Sequence, residues 1–435
     1  MERARSRLTE SPNPESKERS VKHDLDQLMQ DREIDAAVVT GGVHNNPSMY
    51  YMANGAHLTR GILVKPRGQE PVLIHQSMER DEAAKSGLVT IDLTHFEFRR
   101  LIQESADGLE AMVKLYRRIF EELGVTGRVG FYGMVEQGAS YALLTTLQEG
   151  LADVTVVGEH ENDIFDMARA TKDPEEIERM RHVGQTTTTV MREMMEFVRD
   201  HQVARRVIGG RGVDVLVKND GTPLTVGDVK RFGRSRLFVY ELEDAEGMIF
   251  ALGADAGVPH SRGEADDPLY LGQTIVFDFF PREMGGGYFH DVTRTFCLGY
   301  APPEVQKVYD DVKSCFERVM AALKPDTAAR DYEAMTCDIF EEQGHSTHRL
   351  DPANQEGYVH SLGHGVGLKL HERPTFSLSP NNEDVLRAGA VVTIEPGLYY
   401  PSRGFGVRIE DTVYLDEQGQ FHSLTDFSKE LVLEV

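Results

Sequence analysis

From about Lys22 the chain alternates short apolar runs with segments whose apolar residues recur every three or four positions. IDAAVVT (34–40), GILVKP (61–66), PVLIHQ (71–76), RVGFYG (128–133) and VTVVG (154–158) have the length and β-branched content of strands. Residues 105–123 and 136–149 carry helical patterns between them, so an α/β domain is predicted over 22–164. KDPEEIERM then marks a helix start, with Asp173 as N-cap, Pro174 at the first helical position and Glu176 as the reciprocal capping acid. Beyond it Ile177, Met180, Gly184, Thr187, Met191, Met194 and Val198 fall on one face, which predicts a buried stripe. After about residue 205 strands and turns dominate, with helices near 302–324 and 328–344, and an α+β domain with a mostly antiparallel sheet is expected over 165–435.

Composition narrows the classes. The 435 residues are 40% hydrophobic and 27% charged, as in soluble globular proteins. A net charge of −24 repels phosphate backbones and anionic lipid, which argues against nucleic acid and membrane partners. Cys297, Cys315 and Cys337 lack the spacing of a disulfide framework or thiolate zinc site, so a reducing, cytoplasmic compartment is expected. MERARSRLTESPNPESKERS has no apolar signal core, and residues 1–21 read as a disordered leader. Within this acidic chain KRFGRSR (230–236) is a basic cluster, read as a solvated turn, with a substrate carboxylate or an acidic subunit face as alternative partners. His44 and His57 are taken as ordinary loop residues.

Acids inside apolar strands change the picture, because a buried carboxylate is costly unless something offsets its charge. In VFDFFPREMGGGYFHDVTRTF (276–296) a hairpin centred on Met284 and Gly285 would place Asp278 directly opposite Asp291 on one face. Two facing carboxylates need a shared proton or a cation. AVVTIEPGLYY buries Glu395 in a second apolar strand, and in GFGVRIEDTVYL alternation puts Arg408 and Thr412 on the face of Glu410. VHSLGHGVGLKLHERP adds His360, His364 and His371 among glycines that permit close backbone approach. Four acids and one histidine suit hard or borderline cations such as Mn²⁺, Co²⁺ or Zn²⁺, and four carboxylates balance two of them. A two-metal site can hold a bridging hydroxide, a nucleophile for hydrolysis.

The order Asp, Asp, His, Glu, Glu in VFDFF, HDVTRTF, GHGVGLKLHE, TIEPGLYY and GVRIED resembles the pita-bread metallopeptidases, the family of aminopeptidase P, proline dipeptidase and methionine aminopeptidase. Residues 22–160 resemble the creatinase-type N-terminal domain of the proline-specific members. The resemblance implies an α/β creatinase-like domain followed by an α+β pita-bread catalytic domain. It implies that Asp278 chelates one metal, that Asp291 and Glu410 bridge two, and that His364 with Glu395 holds the second. Glu395 would also act as general base and acid, His260, His360 and His371 would flank the scissile carbonyl, and Arg408 would steady the bridging glutamate. Two divalent ions, Mn²⁺ first, and a homodimer are expected.

The twelve residues between Asp278 and Asp291 are two more than the family's usual spacing, an even insertion that preserves facing. The favoured activity is hydrolysis of the Xaa-Pro bond of peptides with proline second, as in aminopeptidase P. Proline dipeptidase is the alternative: HERPTFS places Arg373 before the proline and Thr375 after it, whereas some dipeptidases have an arginine after it. A non-hydrolytic binding protein on the same fold is the reading from another class.

Overall fold

The computed structural model describes residues 24–208 and 210–435, and the leader expected over 1–21 lies outside them. The chain divides into two compact units between Ala168 and Arg169. In the first unit β1 (Ala36–Gly41), β2 (Gly61–Pro66), β3 (Val72–His75), β4 (Val89–Asp92), β5 (Gly127–Tyr132) and β6 (Val154–Val157) form one sheet in the order β4-β3-β2-β1-β5-β6. The β1–β5, β3–β4 and β5–β6 pairs are parallel and the β1–β2 and β2–β3 pairs antiparallel. Central β1 is covered on both sides, because Ala36 and Val38 join one apolar cluster while Ala37 and Val39 join another. Helix α1 (Gly108–Leu123) starts at Asp107, whose side chain accepts from the Glu110 N–H, and ends at Gly124 in the left-handed region. Helix α2 (Gln137–Gly150) packs on the same cluster as α1 through Leu147.

The second unit opens with α3 (Pro174–Arg199), whose capping box between Asp173 and Glu176 is formed as the sequence predicts. Such a cap contributes about 0.5–2 kcal/mol. All seven residues of the expected stripe, from Ile177 to Val198, are buried. The hairpin β7 (Gln202–Ile208) and β8 (Arg211–Val217) follows, then α4 (Val226–Val239). KRFGRSR lies within α4 and is therefore neither a turn nor a free basic patch: Arg234 pairs with Asp244 at 2.8 Å, Arg236 with Glu193 at 2.6 Å, and Lys230 is buried on the Arg262 carbonyl. β9 (Leu242–Glu243), β10 (Ile249–Leu252), β11 (Thr274–Phe279), β12 (Arg282–Glu283) and β13 (Val292–Leu298) come next. Helices α5 (Pro303–Ala322) and α6 (Ala329–Glu342) precede β14 (His364–Gly365), β15 (Glu372–Thr375), β16 (Val391–Ile394), β17 (Gly397–Tyr400), β18 (Phe405–Arg408), β19 (Asp411–Leu415), β20 (Phe421–Ser423) and β21 (Val432–Leu433).

These strands form a four-stranded sheet β10-β11-β13-β21, a five-stranded sheet β15-β14-β16-β19-β20 and the pair β17-β18. Apart from β13–β21 the pairs are antiparallel, as expected. Side-chain parity then separates core from site. Ile275, Phe277, Phe279, Val292, Phe296 and Leu298 share a cluster with residues of α3 and α4. Val392, Ile394, Val407 and Ile409 share another with residues of α5 and α6. Their neighbours of opposite parity, Asp278, Thr293, Thr393, Arg408 and Glu410, point away from the helices.

The β11–β13 register differs from the expected hairpin. Asp278 pairs with Thr293, so the turn centres one position later, between Gly285 and Gly286, and Asp291 does not oppose Asp278. Arg282 pairs with Glu243 of β9 on one side and bridges Phe289 on the other, so the hairpin closes in this register with a third strand beside its tip. The shift is two residues in summed register, so parity is kept and both aspartates face the same side.

Candidate active site

Each acid sits where a helix-backed strand ends or is interrupted. Asp278 is the fifth residue of β11, and Asp291 immediately precedes β13. Glu395 follows β16 directly, and Glu410 lies in the break between β18 and β19 rather than inside one continuous strand. The carboxylates of Asp291 and Glu410 and the His364 ring each offer one atom within 4.8 Å of the other two, and all three residues are buried. His364 Nε2 lies 3.3 Å from Glu395 Oε1 and 3.7 Å from Asp291 Oδ2. Its Nδ1 is 3.0 Å from the Gly365 carbonyl, a contact that assigns the ring proton there and leaves Nε2 as a lone pair facing the acids. The glycines around it permit that approach: a Cβ on Gly363 would sit 2.1 Å from the Thr393 carbonyl.

Charge at this cluster is out of balance. Burial and the neighbouring acids, Glu410 first, hold the Asp291 carboxyl well above the usual range, and burial with Glu410 does the same to Glu395. Burial with the nearby Asp278 pushes Glu410 up to about 8. Asp278 Oδ1, Asp291 Oδ1 and Glu410 Oε1 are buried without a hydrogen-bond partner, an arrangement that buried carboxylate oxygens avoid. Buried, mutually repelling carboxylates with orphaned oxygens beside an unprotonated imidazole are the donor set of a divalent cation site, and the residues fit one. The remaining histidines cluster with it. His360 Nδ1 is 3.5 Å from Glu395 Oε2, the His364 and His371 ring centres are 4.3 Å apart, and those of His260 and His360 are 5.4 Å apart. Burial lowers His360 and His364 to about 3 and also lowers His371, so these rings are neutral at pH 7.

Comparison with known proteins bears on this geometry. A family model described as "Metallopeptidase family M24" matches residues 178–417, more than half of the chain and the segment that holds the whole cluster. The chain belongs to metallopeptidase family M24. Among relatives of this M24 chain, a protein named Xaa-Pro dipeptidase from Pyrococcus furiosus is 27% identical over 94% of this chain and 98% of its own length. One of the same name from Pyrococcus horikoshii is 26% identical over 93% and 97%. The fold is similar to that of a solved Xaa-Pro dipeptidase from Bacillus anthracis, with a TM-score of 0.72 at 22% identity, covering 96% of this chain and 100% of that one. It is also similar to that of an X-Pro aminopeptidase from Thermotoga maritima, with a TM-score of 0.67 at 22% identity over 94% and 98%. No helix among the described residues is long and apolar enough to cross a membrane.

In this M24 metallopeptidase Arg408 reaches Glu410 indirectly. Its guanidinium does not contact Glu410: Nη2 donates to Asp278, Nη1 donates to the Tyr399 hydroxyl at 2.8 Å, and Nε donates to Thr293 Oγ1 at 3.0 Å. The Thr293 hydroxyl in turn donates to Glu410 Oε2 at 2.6 Å, so the arginine reaches that glutamate through a relay. Sequence reasoning missed Thr293 and Tyr399, although strand parity was signal enough to place Thr293 on the face of Asp291. It also missed Thr393, which donates to Glu395 Oε1 at 3.2 Å, whereas Thr412, expected on the face of Glu410, donates its hydroxyl to the Asp291 carbonyl at 2.7 Å. Glu372, beside His371, is buried between Arg169 at 2.9 Å and Lys172 at 3.0 Å and fixes the segment that carries the histidine.

Proposed function

We propose that this metallopeptidase hydrolyses the Xaa-Pro amide bond, using two divalent cations held by Asp278, Asp291, His364, Glu395 and Glu410. The convergence of four buried acids with three orphaned oxygens carries the proposal. Four carboxylates balance two dications, and an oxygen-rich set with one nitrogen suits Mn²⁺ first, with Co²⁺ or Zn²⁺ as alternatives. Cations bound there supply Lewis acidity and an activated water at neutral pH. The bond before a proline is a tertiary amide without an N–H, so a site that grips only the carbonyl loses nothing on this substrate.

The chain's own groups divide the remaining work. Glu395, held above the usual carboxylate range and near both His360 and His364, accepts the proton of the attacking water and returns it to the proline nitrogen. His260, His360 and His371 line the place of the scissile carbonyl, and the His360 and His371 rings, kept neutral by burial, offer hydrogen bonds there without adding charge. Arg408 offsets the negative charge of Asp278 and, through Thr293, orients Glu410. A homodimer in the cytoplasm belongs to the same proposal, the dimer supported by the resemblance and the compartment by three cysteines that are all free thiols.

The two full-length relatives named Xaa-Pro dipeptidase favour a dipeptide substrate. One feature favours longer peptides: Arg373, a cation of the kind that meets a substrate carboxylate, is engaged by Asp384 at 2.8 Å, and Asp384 also accepts from the Thr375 N–H. A paired assay separates them, with metal-free protein reloaded with Mn²⁺ and given an Xaa-Pro dipeptide or the same sequence extended beyond proline. Cleavage of the dipeptide alone means a dipeptidase, and cleavage of both means an aminopeptidase. Cleavage of neither with any divalent metal overturns the proposal.

A further inference from the structure

The first unit contains a cavity of about 710 Å³ between its sheet and the helices α1 and α2. It opens to the surface, is lined by residues between Thr40 and Leu144, and lies apart from the acid cluster in sequence and chemistry. Its walls are the apolar residues that the core leaves half covered, among them Ile62, Phe98, Met112, Phe131 and Leu144. Helix α2 explains the gap, because Leu147 is the one fully buried residue among its 14, so most of the helix spans the sheet without filling the space beneath it. Ligand cavities are commonly about 300–1,000 Å³ with apolar walls and a few polar groups.

The polar groups here have one sign. None of the lining residues is Asp or Glu, although 71 of 435 residues in the chain are acidic. Arg60 stands at the rim, exposed, with no hydrogen bond or ion pair among the described residues. His75 lines the same space, and its Nδ1 is already engaged by the Gln76 carbonyl at 2.9 Å, so Nε2 is left over. Inside, Tyr116 is only 1% exposed, and its hydroxyl, open to the cavity, makes no hydrogen bond to protein among the described residues. A guanidinium at the mouth, an unpartnered hydroxyl within, apolar walls and no carboxylate are complementary to one chemical class.

We infer that this cavity binds an apolar monocarboxylate, with its carboxylate at Arg60 and its hydrocarbon body against Phe98, Phe131 and Leu144. A chain of about ten to twelve carbons matches a site of this size. The inference does not depend on the peptidase reading, since no group of the acid cluster takes part.

The test uses the full chain and dansylaminoundecanoate, whose fluorescence rises in apolar surroundings, at concentrations below micelle formation. Saturable enhancement with one site per chain is expected, displaced by dodecanoate at least tenfold better than by dodecanol. Arg60→Glu, on an exposed side chain that holds no structural contact, should weaken the probe at least tenfold. Leu144→Trp, which fills the space with apolar volume, should abolish binding with an unchanged circular dichroism spectrum. Absence of saturable enhancement overturns the inference, as does equal displacement by dodecanol. Unchanged affinity in Arg60→Glu overturns it too, and that variant decides the matter if Leu144→Trp does not fold.

Discussion

Thr293→Val removes one hydroxyl from a buried strand and nothing else, because the side chains are nearly isosteric. In the wild type this hydroxyl, fully buried, donates to Glu410 Oε2 at 2.6 Å and accepts from Arg408 Nε at 3.0 Å. A hydrogen bond to a charged group is worth about 1.5–3 kcal/mol, and stranding its partners costs about as much again. Transmitted to a bound cation, a loss of 1.5–3 kcal/mol is about 10- to 100-fold in affinity, the range usual for partners of metal-ligating residues. The sign with pH follows from Glu410. Burial and Asp278 raise it to about 8 while the Thr293 hydrogen bond lowers it, so the valine raises it further. Metal and proton then compete more strongly near neutrality, and the affinity deficit should shrink as pH rises. The assay is calorimetric titration of metal-free protein with Mn²⁺ at pH 7 and pH 9, beside thermal unfolding. Wild-type affinity at both values, even with stability lowered, would refute the relay, and so would an affinity loss equal at both.

Further outcomes follow from the same geometry. Asp291→Asn should lose metal and turnover yet stay folded, since it removes a charge that its neighbours repel; metal content and circular dichroism check this, and full turnover would exclude a ligand role. His371→Ala should retain metal and slow turnover, seen as an unchanged metal stoichiometry with reduced kcat, whereas loss of metal would make the ring a ligand. Glu372→Gln should destabilise the fold by about 3–5 kcal/mol in denaturant unfolding, because it leaves Arg169 and Lys172 buried beside a neutral amide. Burial alone would raise the Glu372 carboxyl, but Lys172 and Arg169 outweigh it and hold it below the usual range. Its contribution is therefore present above the ordinary glutamate pKa and lost as pH falls below it, so wild type and variant should converge in stability at acid pH. Metal-free protein should behave oppositely at the acid cluster: with Asp291, Glu395 and Glu410 all raised, stability is fullest below the ordinary carboxylate pKa and declines as pH rises toward 8. The rise in Tm on adding Mn²⁺ should accordingly be larger at pH 8 than at pH 6.

What the sequence made legible was parity and punctuation. The capping box at Asp173 and Glu176 and the apolar runs of the first unit are local signals, and the elements follow them closely. Acids inside apolar strands announced the cluster because desolvation makes them conspicuous without knowledge of the fold. Register was lost because the glycine-rich tip does not mark its own centre, and the hairpin closes one position later than the midpoint of the two aspartates. Helix α4 was lost because its buried face includes Lys230 and Gly233, which break the apolar stripe, although Thr225 and Asp228 form a capping box at its start. The target of Arg408 was assigned by resemblance to a glutamate two residues away, whereas the folded chain brings Asp278 nearer and inserts Thr293 between arginine and glutamate. The cavity of the first unit has no sequence signature, since it arises from what α2 fails to fill.

We propose that two divalent cations compensate the four buried acids and make the site an Xaa-Pro hydrolase. This is tested most directly by adding Mn²⁺ stepwise to chelator-treated protein while following cleavage of an Xaa-Pro peptide and bound metal together. Turnover absent at the start and reaching its plateau at two equivalents per chain is the predicted result. Full turnover in the metal-free protein, or two bound equivalents without cleavage of any Xaa-Pro peptide, would contradict it.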